Sequence, residues 1–246
     1  MIKYLLYAFL FSLKMIKHLL YAFLFSLIFI SSYENTTKGS LNARPISYPE
    51  SWTLMQQLNW EKINLHYHYS PNIKNSIGFV YAKYDNEDEQ LYAGQWNYLL
   101  FRKNEKKSQA NLYSKLQLGQ LDLEESDASY FHLDYQLSYD WETRRHFYAM
   151  SLGTTYDGPE ESFTQHQSAR IGIAPYLGDY GKLHTWLMLQ LVHHPDEIDS
   201  DNRLIWDPLS RLFKGDVLIE LGVNSNQKLL FNSISIFTLF FEMDSN

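Results

Sequence analysis

With 246 residues, no cysteine and a formal net charge of −7, the chain has room for one large domain, lacks any disulfide framework and is too acidic for a nucleic-acid binder. Aromatic residues make up 16% of it, with 19 Tyr and 6 Trp. Such amphipathic rings suit the girdles of a membrane barrel, although a soluble all-β protein can use them too.

The N-terminus is a tandem repeat: residues 1–13 (MIKYLLYAFLFSL) recur as residues 15–27 (MIKHLLYAFLFSL), with His18 in place of Tyr4. Each copy has a lysine-bearing start and an apolar stretch of signal-peptide length. The second runs on through Ile28, Phe29 and Ile30 to Ser31 and Ser32. Residues 1–32 therefore read as a duplicated signal peptide with its start at Met15. Two membrane helices are the alternative, but each run is too short to span. Cleavage falls after Ser32 or Ala43, and without a cysteine there is no lipid anchor at that point. Three of the 21 basic residues go with the leader, leaving 18 against 28 acidic ones, a net charge of −10.

Residues 33–50 are polar and irregular, a tail ahead of a barrel domain over 51–246. Residues 51–57 alternate too briefly to decide between a strand and a plug segment. Alternating segments then follow at 62–70, 76–85, 91–103, 110–123, 130–142, 145–157, 166–178, 182–194, 216–224 and 228–237. Turn-formers such as Ser70-Pro71-Asn72, Asp157-Gly158-Pro159 and Asn224-Ser225-Asn226 lie between many of them. No run of about 18 uncharged apolar residues occurs after residue 32, so nothing there reads as a membrane helix.

Residues 131–141 alternate most cleanly. Phe131, Leu133, Tyr135, Leu137, Tyr139 and Trp141 share one face, and His132, Asp134, Gln136, Ser138 and Asp140 the other. The segment is long for a soluble sheet and close to the roughly 9–11 residues a tilted strand needs to cross a bilayer. A turn at Thr143-Arg144 sets Glu142 opposite Arg145, Tyr139 opposite Tyr148, Leu137 opposite Met150 and Tyr135 opposite Leu152. That register places Tyr135, Leu137, Tyr139, Tyr148, Met150 and Leu152 outward, and Asp134, Gln136, Ser138, Ala149, Ser151 and Gly153 inward.

The expected fold is all-β: an antiparallel up-and-down transmembrane β-barrel of about ten strands, with the lipid bilayer as partner and the outer membrane of a Gram-negative bacterium as location. Two features resist ten strands. Residues 195–215 become the longest connection and fall on the periplasmic side, where turns are usually short, while adding 51–57 gives an odd eleven. Residues 233–246 also lose alternation, so either Phe237 closes the barrel or the C-terminus is altered.

Candidate chemistry is sparse. His66 and His68 are two apart on one strand face with Asn64, a pair able to offer imidazoles to Cu or Zn or simply to line the lumen. His193-His194-Pro195-Asp196-Glu197-Ile198-Asp199 and Asp85-Asn86-Glu87-Asp88-Glu89 read as solvated acidic loops. His132, Asp134 and Ser138 share a face, but a strand spaces same-face neighbours about 7 Å apart, too far for a catalytic relay. With no phosphate loop, HExxH motif or nucleophile elbow, the chain reads as a non-enzyme.

At Ser51-Trp-Thr-Leu-Met-Gln-Gln57, His66–Pro71, Ser108-Gln-Ala-Asn-Leu-Tyr113 and Leu229-Leu-Phe-Asn232, the chain resembles a family of uncharacterised exported barrel-like proteins. Their genes tend to accompany copper and heavy-metal resistance determinants. The resemblance covers most of 48–232 and implies location and context, not a catalytic residue. After Asn232 the chain departs from the short aromatic-ended strand expected of that family, which puts closure in question.

The resulting expectation is a small structural or narrow-pore barrel used under metal stress. Two alternatives remain. A soluble periplasmic lipocalin-like binder would turn the apolar face inward. An outer-membrane enzyme would need a nucleophile and a base from different strands.

Overall fold

The computed structural model describes residues 49–59, 62–84, 89–123, 128–158, 162–179, 181–196, 203–225 and 229–240. They form twelve strands: β1 (Ser51–Asn59), β2 (Lys62–Asn72), β3 (Asn75–Tyr84), β4 (Glu89–Asn104), β5 (Ser108–Leu123), β6 (Ala128–Thr143), β7 (His146–Asp157), β8 (Ser162–Ile173), β9 (His184–His193), β10 (Leu204–Lys214), β11 (Val217–Val223) and β12 (Leu229–Phe240). Each pairs antiparallel with its sequence neighbours, and β12 closes on β1 with Asn59 opposite Asn232 and Ser51 opposite Phe240. Closure gives every strand a partner on both sides, the condition for placing backbone in lipid. The signal-peptide reading and most of the polar tail fall outside the described residues.

Twelve strands replace the expected ten, and the difference resolves the polarity conflict. Residues 51–57 belong to β1, and 204–214, expected inside a long connection, are β10. β10 escaped notice because Leu204, Trp206 and Pro208 point outward while Ile205, Asp207 and Leu209 are buried inward. Apolar side chains on both faces erase the alternation. Pro208 adds a second disguise, since it has no N–H for a ladder. The chain accommodates it by starting the β10–β11 pairing just beyond it, at Leu209 opposite Gly222.

With twelve strands both barrel termini lie at one end. There the connections are 73–74, 105–107, 144–145, 174–183 and 215–216, most of them two or three residues long. The opposite end carries the 194–203 connection. Short turns on the terminus-bearing side are the usual arrangement of outer-membrane barrels.

The β6–β7 hairpin keeps its predicted faces but shifts its register by two residues. Tyr139 pairs with Met150, Leu137 with Leu152 and Trp141 with Tyr148. A two-residue shift preserves face parity, so the polarity pattern cannot detect it. The turn decides it. Thr143 Oγ1 accepts the N–H of Arg145 at 3.1 Å and of His146 at 2.8 Å, fixing a loop at Arg144-Arg145. The shift also removes two mismatches of the expected register, Trp141 against His146 and Asp140 against Phe147: Asp140 now faces Ala149.

The C-terminal strand does not stop at Phe237. β12 continues to Phe240 along β1, a pairing made by backbone groups that needs no side-chain alternation. Closure after Asn232 is therefore intact.

Candidate functional site: the barrel lumen

The two faces of the wall have opposite chemistry. Ile77, Phe79, Trp96, Leu118, Met150, Leu152, Leu187 and Leu191 are exposed on the outside. Gln95, Gln117, Asp134, Gln136, Arg170, Gln190 and Glu220 are buried on the inside. A water-soluble fold reverses this order, because a continuous apolar girdle in water is a large unfavourable surface. The exposed apolar exterior and the charged interior are the reverse of what a soluble binder with an apolar interior requires, although Val80, Ala82, Leu91, Ala93 and Leu121 form an apolar patch inside. All six side chains expected outward from the 135–152 hairpin do face outward: Leu137 is half-buried and the other five are exposed.

Aromatic rings gather toward both ends of the girdle. Near the terminus-bearing end Trp52 packs on Tyr69, Trp96 on Tyr98 and Trp141 on Tyr148. Toward the other end Tyr81 meets Tyr92, and Tyr156 lies between Phe131 and Phe163. Rings with an apolar body and a polar tip favour such interfacial depths.

The lumen is crossed by polar networks. On the β8–β12 side, Glu220 is fully buried and accepts from Arg170 Nη1 at 2.9 Å and Arg211 Nε at 2.7 Å. Asn232 Nδ2 donates to its second oxygen at 3.4 Å. Arg170 also donates to Gln190 Oε1, and Gln190 Nε2 donates to Asp207 Oδ2 at 3.2 Å. Cross-strand register assembles this set: Arg170 lies opposite Gln190, Gln190 opposite Asp207, Arg211 opposite Glu220 and Glu220 opposite Asn232. The guanidinium of Arg211 sits 5.3 Å from the centre of the Phe147 ring, a cation–π distance.

A second network lies on β5–β8. Lys115 Nζ pairs with Asp134 Oδ2 at 2.7 Å, and Thr155 Oγ1 donates to Asp134 Oδ1 at 3.2 Å. His166 Nε2 stands 3.9 Å from the same carboxylate oxygen. Gly153, directly across from His166, leaves space that a Cβ would close against the imidazole. On β4–β5, Gln117 donates to Gln95 at 2.6 Å and Gln95 to Asn97 at 3.0 Å.

The β2–β4 wall is different. His68 is buried with neither ring nitrogen hydrogen-bonded, and Asn64 Oδ1, Ser70 Oγ, Ser76 Oγ and Asn97 Nδ2 are also buried without partners. His66 lies on the same face of β2, within hydrogen-bond reach of Gln95. Among the described residues no three His, Cys, Asp or Glu side chains converge on one point.

The remaining sequence candidates are dispersed. Asp134 is held by Lys115 and Thr155, and no described contact joins it to Ser138. His193 faces Gln167 at 3.4 Å, whereas His194 makes a backbone bond to Arg203. Asp196 accepts the backbone N–H of Gln165 at 2.5 Å. Residues 85–88 and 197–202 lie outside the described residues.

Sequence reasoning missed the Arg170–Glu220–Arg211 cluster altogether. Its signal was present as single charges at inward positions of apolar strands, Arg170 in SARIGI and Glu220 in VLIELG. Without β10, however, Arg211 and Asp207 had no place in the wall.

Fold and interior together define a membrane-spanning barrel whose polar lumen is traversed by its own side chains. No family model matches the chain, and no curated protein is similar to it. Among solved structures, the KdgM porin is 8% identical with a TM-score of 0.42, over 78% of this chain and 99% of that chain. The KdgM porin in complex with disordered oligogalacturonate is likewise 8% identical with a TM-score of 0.43, over the same shares of the two chains.

Proposed function

We propose that the chain is a small barrel of a Gram-negative outer membrane that acts as a narrow, side-chain-filled pore. The carrying observation is the charged Arg170–Glu220–Arg211 cluster enclosed by a wall whose exterior is apolar. Charge inside and hydrocarbon outside suit a lipid-embedded wall around an aqueous path. The networks reaching inward from that wall suit small solutes and argue against a wide porin.

Planar-bilayer recording tests this. The wild type is expected to conduct weakly. A triple variant, Arg170→Ala/Glu220→Ala/Arg211→Ala, removes the cluster without leaving one charge alone and is expected to conduct severalfold more. Absent conductance in both proteins would leave the barrel a structural element and defeat the pore reading, while equal conductance would show that the cluster does not narrow the path.

A weak Cu or Zn contact at His66 and His68 belongs to the same proposal, favoured by the two unpartnered ring nitrogens of buried His68. The metal-stress role implied by the family resemblance enters through this pair. Calorimetric titration of Cu²⁺ or Zn²⁺ is expected to show at most one weak site, lost in His66→Ala/His68→Ala. Uptake unchanged by the double substitution makes both residues lumen lining.

A further inference from the structure

The connections at the two ends of the barrel carry opposite charge by sequence. Connections at the end away from the termini (60–61, 85–88, 124–127, 158–161, 194–203 and 224–228) hold, by sequence, thirteen Asp and Glu against Arg203 and Lys228. Those at the terminus-bearing end hold six basic residues, Lys74, Lys106, Lys107, Arg144, Arg145 and Lys182, against Glu105, Asp179 and Asp216. All six are exposed. The neighbouring Lys103 is engaged by Glu105 at 2.7 Å, which holds that carboxylate below its usual range and keeps it charged. Among the described residues none of the six forms an ion pair.

Depth gives this basic rim its meaning. Arg144 and Arg145 follow Trp141 and precede Tyr148, the ring pair that ends the apolar girdle. Lys74 adjoins Asn75, whose side chain accepts the indole N–H of Trp96 at 3.0 Å. Tilted strands climb only about 2–3 Å per residue along the barrel axis. By that rise Lys74, Arg144 and Arg145 lie within about 10 Å of the aromatic belt, at the depth of lipid headgroups, and Lys106, Lys107 and Lys182 complete the same rim. Among the described residues, the connections at the opposite end carry Arg203 as their one Lys or Arg.

We infer that the terminus-bearing end docks on the anionic phospholipid headgroups of the leaflet it borders, through Lys74, Lys106, Lys107, Arg144, Arg145 and Lys182. The inference rests on the membrane-barrel reading but not on conduction. It commits to lipid because the rim surrounds the lipid-facing wall, and because a single Lys or Arg near an anionic leaflet is already a favourable contact.

The test uses the full barrel reconstituted in vesicles of phosphatidylcholine mixed with phosphatidylglycerol, with brominated versions of each lipid in turn. Trp52, Trp96 and Trp141 stand at the rim as quenchable reporters. Brominated phosphatidylglycerol is expected to compete for the wall about threefold to tenfold better than brominated phosphatidylcholine at low salt, falling to parity in about 0.5 M salt. Lys106→Glu/Lys107→Glu/Arg144→Glu/Arg145→Glu is expected to abolish the preference while keeping the heat-modifiable gel shift of a folded barrel. The milder fourfold Gln variant covers a failure of the Glu variant to fold. A wild type without preference, a preference that survives high salt, or one untouched in a folded variant overturns the inference. Failure to enter any vesicle instead removes the membrane reading beneath it.

Discussion

Glu220→Ala is expected to be the most damaging single substitution in the barrel, costing about 3–5 kcal/mol, because it strands Arg170 and Arg211 in a buried site. Glu220 has no exposed surface, and among the described residues its carboxylate is the only one that accepts from both guanidiniums. Glu220→Gln keeps the shape and a hydrogen-bond acceptor but removes the negative charge, and should fall between wild type and Ala. Replacing the whole set with Arg170→Met/Glu220→Leu/Arg211→Met is expected to recover most of the loss, since no charge is left to desolvate. Urea unfolding of the vesicle-inserted protein, followed by tryptophan fluorescence, reads all three. If Glu220→Ala unfolds like wild type, water reaches the cluster freely and the lumen is wider than its packing indicates.

The same cluster shows which parts of the molecule were legible from residues alone. Face polarity was readable wherever a strand alternates, as in β6, because a period of two has no competing interpretation over eleven residues. Strand count failed where the interior itself turns apolar. Ile205 and Leu209 of β10 point into the lumen beside outward Leu204 and Trp206, so neither face is distinguishable by polarity. Register failed for a subtler reason. Any even shift satisfies the pattern, and the choice fell to a single hydroxyl, Thr143 Oγ1, bonding two turn N–H groups. The lumen cluster was out of reach because its members come from five strands, β8 to β12, including the one that was missed. Local pattern reports which way a side chain points. It cannot report which distant side chain it meets.

Orientation links the fold to its setting. Twelve strands return both termini to one end, and the basic short turns gather there while the acidic connections gather at the other. A barrel entering a bilayer must carry one of its two rims through the hydrocarbon, at a cost that rises with the charge carried. Either rim is charged, but the terminus-bearing one has compact two- and three-residue hairpins at four of its five connections. Its cations are also matched to anionic headgroups once the barrel is in place.

The lipid-facing assignment itself is exposed to one substitution. Leu152 stands outward on β7, 53% exposed, with outward Leu137 opposite it and both aromatic belts some distance away. Leu152→Arg is expected to destabilise the inserted barrel by about 2–4 kcal/mol, the penalty of a guanidinium near the bilayer midplane. Its neighbour Ser151 points into the lumen, where its hydroxyl meets that of Ser168 at 2.6 Å. Ser151→Ala removes one partner of a hydroxyl pair and is expected to cost only about 1 kcal/mol. The contrast between adjacent residues isolates lipid from water, because in an aqueous setting an arginine on an exposed site is nearly neutral or helps solubility. Reversible urea titration in phosphatidylcholine vesicles measures both variants. A Leu152→Arg protein as stable as wild type would mean that this face meets water, and the barrel would have to be read as a soluble one with an apolar skin.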